Sequence, residues 1–92
     1  DGHSLIIPKL HQPDYFQLSD KYKNACNLVL SRTKEILSEK YSPDGFNVGI
    51  NIGREAGQTV DHVHIHLIPR HEGDVEDPTG GVRGVVPKKK KY

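Results

Sequence analysis

Apolar and polar positions follow two different rhythms along this chain. From Tyr22 onward Cys26, Val29, Thr33, Ile36 and Leu37 recur at steps of three and four, with Lys23, Asn24, Asn27, Ser31, Lys34 and Glu35 opposite them. That is the period of an amphipathic helix. It is expected to start from a cap at Ser19 or Asp20 and to end near Tyr41, where Ser42-Pro43-Asp44-Gly45 breaks it. Leu28 lies off the stripe, either as an isolated exposed leucine or as part of a second apolar face for another chain. Period two governs residues 46–52 (FNVGINI) and residues 62–67 (HVHIHL), and both read as strands. Residues 3–7 form a shorter apolar run that ends at Pro8, a third strand, and residues 9–18 read as a connection. The glycine-bounded loop over residues 53–59 is short enough to join antiparallel neighbours. Beyond Pro69, the residues Gly73, Pro78, Gly80, Gly81, Gly84 and Pro87 punctuate the chain too densely for a regular element. The pattern therefore predicts three strands and one long amphipathic helix, with the last two strands joined as antiparallel neighbours.

Composition narrows the function. Ninety-two residues leave room for one domain, so any site must sit on one small core. Hydrophobic content is 34% and no apolar run approaches the roughly 18 residues of a membrane helix, so a soluble protein without a membrane partner is expected. The 13 Lys and Arg nearly balance the 12 Asp and Glu, which argues against nucleic acid held by phosphate neutralisation and leaves a small anionic ligand open. Cys26 is the only cysteine, so neither an internal disulfide nor a cysteine-based zinc site can form, and a cytoplasmic location is the expectation. The chain holds no methionine and opens at Asp1-Gly2 without the layout of a signal peptide, which suggests that part of the domain is missing at the N-terminus. The basic run over residues 88–91 reads as a solvated tail, with phosphate steering as its alternative.

Six histidines stand out against this background. On a strand alternate side chains share a face, so His62, His64 and His66 point one way while Val63, Ile65 and Leu67 point into a core. A merely solvated face would vary freely among Thr, Lys and Glu, so three imidazoles in a row mark a function. Zinc is one candidate, because His-x-His on a strand can supply two ligands. At about 3.3 Å per residue the outer pair lie roughly 13 Å apart along the backbone, against Zn–N bonds of about 2.0–2.1 Å, so His62 and His66 would strain to share an ion. Further ligands would have to come from His3, His71, Glu72 or Asp74, and no spacing forces that choice.

Nucleophilic catalysis fits better. A neutral imidazole, with an unperturbed pKa of about 6.5, attacks phosphorus to give a phosphoramidate that water can open. His64 has a histidine on each side, so its neighbours can bind phosphate oxygens or protonate a leaving group while it attacks. Gly57-Gln58-Thr59 adds small residues that let backbone N–H groups approach phosphate, together with uncharged side-chain donors.

Residues His62-Val63-His64-Ile65-His66-Leu67-Ile68 match His-φ-His-φ-His-φ-φ at every position, where φ is apolar. With Asn51, Gly53, Gly57-Gln58-Thr59-Val60, Pro69 and the Gly2-His3 strand, the chain resembles the histidine triad (HIT) superfamily of nucleotide hydrolases and transferases, in its fragile-histidine-triad and Hint-like branches. The resemblance implies an α+β fold, an antiparallel sheet with one long helix packed on it, paired into a symmetric homodimer, with residues 1–70 forming an N-terminally incomplete domain and residues 71–92 an irregular tail. Within that tail Gly80-Gly81-Val82-Arg83 is similar to some microbial members. It implies that His64 is the nucleophile that becomes nucleotidylated, that Thr59 and His66 contact phosphate, and that Asn51 and Gln58 lie near the α-phosphate and leaving group. Gly57 and Val60 belong to the same phosphate-binding segment, and His62 and His3 orient the nucleophile. No metal or cofactor is implied. The expected activity is cleavage at the α-phosphate of nucleoside phosphoramidates or dinucleoside polyphosphates through a nucleotidyl-histidine. The alternatives are a non-catalytic nucleotide- or partner-binding member of the family and a His-rich metal module.

Overall fold

In the computed structural model, which describes residues 1–90, three strands form one antiparallel sheet: β1 (Ser4–Ile6), β2 (Gly45–Ile50) and β3 (Ile65–Arg70). Their spatial order is β1-β3-β2, so the strand that continues the histidine run lies in the centre. Helix α1 spans Asp20–Tyr41. It stops because Ser42 takes a left-handed conformation, φ 46°, with its N–H donating to the Ser38 carbonyl at 3.1 Å, and Pro43 follows.

The helix boundaries agree with the periodicity, but the buried stripe is rotated by about one residue. Cys26 and Leu37 are buried and Leu30 and Tyr41 pack against the core, whereas Val29 and Ile36, expected inside, are each 51% exposed. The positions 22, 26, 30, 33, 37 and 41 form an equally regular 4-4-3-4-4 series, and a pattern holding both Val29 and Leu30 cannot tell which of the two faces the sheet. On the sheet side Ile6, Ile65 and Leu67 complete the core, flanked by Phe46 and Ile50.

The bounds of all three strands shift, those of the histidine strand most. Residues 62–64 precede the ladder, because Ile65 is the last position that both β1, through Ile6, and β2, through Ile50, reach. The strand also continues through Pro69 to Arg70, beyond the expected end at Leu67. Pairing with β1 ends at Ser4 opposite Leu67, so Ile68–Arg70 face a neighbour only on the β2 side, and a residue without an N–H is tolerated there. Residues 62–64 nonetheless keep the alternation: Val63, Ile65 and Leu67 are buried, with Val63 and Leu67 only 1% exposed, and the three histidines between them are half-buried.

The described part of the tail holds no α-helix or strand. Short 3-10 turns occur at Gly81–Val85 and Pro87–Lys89. A clasp at the end of β3 sets its departure: the Arg70 guanidinium donates to both Asp74 oxygens at 2.7 and 2.8 Å and to Asn47 Oδ1 at 2.6 Å. The guanidinium holds the Asp74 carboxyl well below the usual carboxylate range. Lys91, the end of the basic run, and Tyr92 lie outside the described residues.

Candidate active site

The face of the sheet away from α1 carries the histidines. Gly2 makes the entry to this face possible. Its φ is +86°, and a Cβ there would stand 2.9 Å from the Tyr41 ring and 3.1 Å from Pro69, so only glycine lets the chain pass and present His3. The Nε2 of His3 lies 2.9 Å from Nδ1 of His66, with ring centroids 5.1 Å apart. His64 and His66 have centroids 5.0 Å apart with their rings edge to face.

One hydrogen bond decides the tautomer of His64. Its Nδ1 lies 2.9 Å from the backbone carbonyl of His62. A carbonyl only accepts, so Nδ1 carries the proton and Nε2 holds a lone pair. That Nε2 has no hydrogen-bond partner among the described residues. The same reasoning fixes His62, whose Nε2 donates to the Pro8 carbonyl at 2.8 Å. His62 is therefore turned away from the row formed by His3, His66 and His64.

Nε2 of His66 is buried without a hydrogen-bond partner among the described residues. Burial, and secondly the neighbouring charges of His64 and His3, push the His66 pKa below the ordinary histidine value. An orphaned ring nitrogen of this kind gains a partner when a ligand brings a polar atom to it.

The loop residues fall into two groups. Gly57 adopts φ +94° and closes the 3-10 turn Arg54–Ala56 by donating to the Arg54 carbonyl. The Gln58 amide ties the loop together: Oε1 accepts from Gly53 N at 2.8 Å and Nε2 donates to the Pro13 carbonyl at 2.8 Å. Gln58 thus acts on the loop backbone here. Thr59 is exposed with a free hydroxyl among the described residues, Asn51 is half-buried just past β2, and the Val60 carbonyl accepts from His62 N at 2.8 Å. Gly57, Gln58 and Thr59, with Arg54, Asp14 and Asp61, line an open cleft of about 610 Å³ that none of the three triad histidines lines.

Of the residues weighed as further metal ligands, His3 joins the row, whereas His71 and Asp74 sit elsewhere. His71 Nε2 reaches the Tyr41 carbonyl at 3.2 Å and Asp74 is held by Arg70, both past the far end of β3. Among the described residues no three His, Cys, Asp or Glu are grouped to hold an ion.

Sequence reading passed over His11. Its ring packs edge to face on His62, with centroids 5.2 Å apart. A sixth histidine placed between two prolines in an aperiodic connection was the available signal.

The HIT domain model matches residues 1–73. The chain belongs to the histidine triad family. It is 42% identical over 69 residues to an adenosine 5'-monophosphoramidase of Schizosaccharomyces pombe, covering 75% of this chain and 49% of that protein. It is 38% identical over 76 residues to a bis(5'-adenosyl)-triphosphatase of Dictyostelium discoideum, covering 83% and 51% respectively. A crystal structure of a HIT family protein from Bacillus anthracis superposes with a TM-score of 0.74 at 41% identity, over 77% of this chain and 50% of the other. The chain spans about half the length of the relatives it matches. The three-stranded antiparallel sheet with one long helix agrees with the fold of these HIT-family structures.

Proposed function

We propose that this HIT domain cleaves nucleotides at the α-phosphate, with His64 as nucleophile. One observation carries the reading: the His62 carbonyl holds the proton of His64 on Nδ1, which leaves the Nε2 lone pair unpartnered among the described residues. In the first step Nε2 bonds to the α-phosphorus as the bond to the leaving group breaks and its electron pair departs with that group. The imidazole keeps its Nδ1 proton and gains positive charge, and the His62 carbonyl oxygen already sits where that charge develops. In the second step water attacks phosphorus, the electron pair of the N–P bond returns to Nε2 to restore the neutral imidazole, and the proton that water sheds balances the one taken up by the leaving group.

His66 supports this step by donating from Nε2 to a phosphate oxygen. That role requires its Nδ1 to accept, so His3 supplies the proton across their 2.9 Å contact. Thr59, with its free hydroxyl, and Asn51 are the further polar contacts, while Gln58 shapes the loop that presents them. The substrates are nucleoside phosphoramidates or dinucleoside polyphosphates, the classes named by the two enzyme relatives. A cytoplasmic location and a homodimer complete the reading. The edge of β2 and the exposed Leu28 on α1 are the surfaces suited to a second copy.

Trapping tests the mechanism. Protein quenched with substrate at high pH, where phosphoramidates survive, is expected to carry one nucleoside monophosphoryl group on a peptide at His64. The group should be lost in acid, and His64→Ala should abolish both adduct and turnover. Full turnover by His64→Ala, or an adduct on His62 or His66, removes the assignment; binding without turnover identifies a non-catalytic member.

A further inference from the structure

The connection after β1 touches the histidine stretch at three points. The Pro8 carbonyl accepts from Nε2 of His62 at 2.8 Å, the Gln12 carbonyl accepts from Val63 N at 2.7 Å, and the His11 ring packs edge to face on His62 between these anchors. Residues 62–64 need these supports because they precede the ladder and neither β1 nor β2 holds them. They are also the residues on which the nucleophile depends, since the His62 carbonyl fixes the proton of His64.

The geometry points to His11 as a positioning residue for the nucleophile, an inference that rests on reading His64 as the attacking group. The Gln12 carbonyl sets where the backbone at Val63 lies, while the Pro8 carbonyl holds the His62 ring at one atom only, about which the ring is still free to swing. The His11 ring closes that freedom. With the His62 side chain clamped between Pro8 and His11, its own peptide carbonyl keeps one direction, and the Nδ1–H tautomer of His64 is favoured over the Nε2–H tautomer, which cannot attack. His11 is exposed and reaches the row of imidazoles only through His62, so it acts by packing. An aromatic ring of similar shape without a titratable nitrogen should therefore replace it.

The test compares His11→Ala and His11→Phe, following thermal melting to confirm folding. Imidazole ¹⁵N shifts of His64 report which nitrogen holds the proton, independently of turnover. His11→Ala is expected to raise the Nε2–H fraction of His64 and to lower kcat roughly three- to tenfold, the scale of one lost ring pair, with KM unchanged. His11→Phe is expected to restore both. A wild-type tautomer ratio in His11→Ala overturns the inference, as does a His11→Phe protein that behaves like His11→Ala. If the tautomer ratios respond as expected while no nucleotide is turned over, the positioning role stands and the catalytic reading fails.

Discussion

At the scale of the residue, the histidine face is ordered by hydrogen bonds that place protons more than by charge. His64 is set by a carbonyl, His62 by another, and His66 by the ring of His3. The depressed pKa of His66 carries a stability signature. A histidine whose pKa is lower folded than unfolded takes up its proton first in the unfolded chain, so its contribution is complete above the unfolded value near 6.5 and is lost as pH falls through the lower folded value. Denaturant midpoints should therefore fall from about pH 6.5 downward. In His66→Gln, which keeps a polar side chain without titrating, that part of the slope should disappear; an unchanged profile would assign the acid sensitivity to other groups. His64 and His66 were legible from the His-φ-His-φ-His spacing, but His3 came only with the family resemblance, and the spacing put His62 in the row that its bond to Pro8 takes it out of. The tautomers of His62 and His64 were not legible, because the partners are backbone carbonyls at Pro8 and His62 that no residue type announces.

At the scale of the element, the central strand stabilises the domain and aims the site together. Leu67 is 1% exposed, and its neighbours β1 and β2 hold it at Ser4 and Val48. Leu67→Ala should cost about 2–5 kcal/mol, read as a lowered denaturant midpoint, since a site clamped between two strands has little room to collapse around the lost volume. A change below about 1 kcal/mol would mean that the core is looser than its burial implies. Helix ends and strand identities were legible from periodicity and from the Ser42-Pro43 break. The helix face was not, because Val29 and Leu30 are equally apolar and only contact with the sheet chooses between them. Nor was the start of β3, which depends on how far its two partners extend rather than on its own sequence.

At the scale of the whole molecule, a three-stranded sheet leaves two edges, and the β2 edge adjoins an apolar groove of about 500 Å³ lined in part by Leu30, Phe46, Val48 and Leu67. Leu28 on the same helix is 73% exposed. A second copy covering this region would bury the edge and the groove together. Light scattering at micromolar concentration is expected to give twice the 10.3 kDa chain mass, and a monomer mass across that range would count against the homodimer. The alternation along residues 62–67 has a consequence for how such a protein can change. Core and chemistry are written on the same six positions, odd ones inward and even ones outward. A one-residue insertion or deletion within this stretch would exchange the two sets downstream of it, driving imidazoles into oil and aliphatic groups into water. Heat tolerance and reactivity are therefore not separate dials here: a slip of one residue in this stretch would lose both at once.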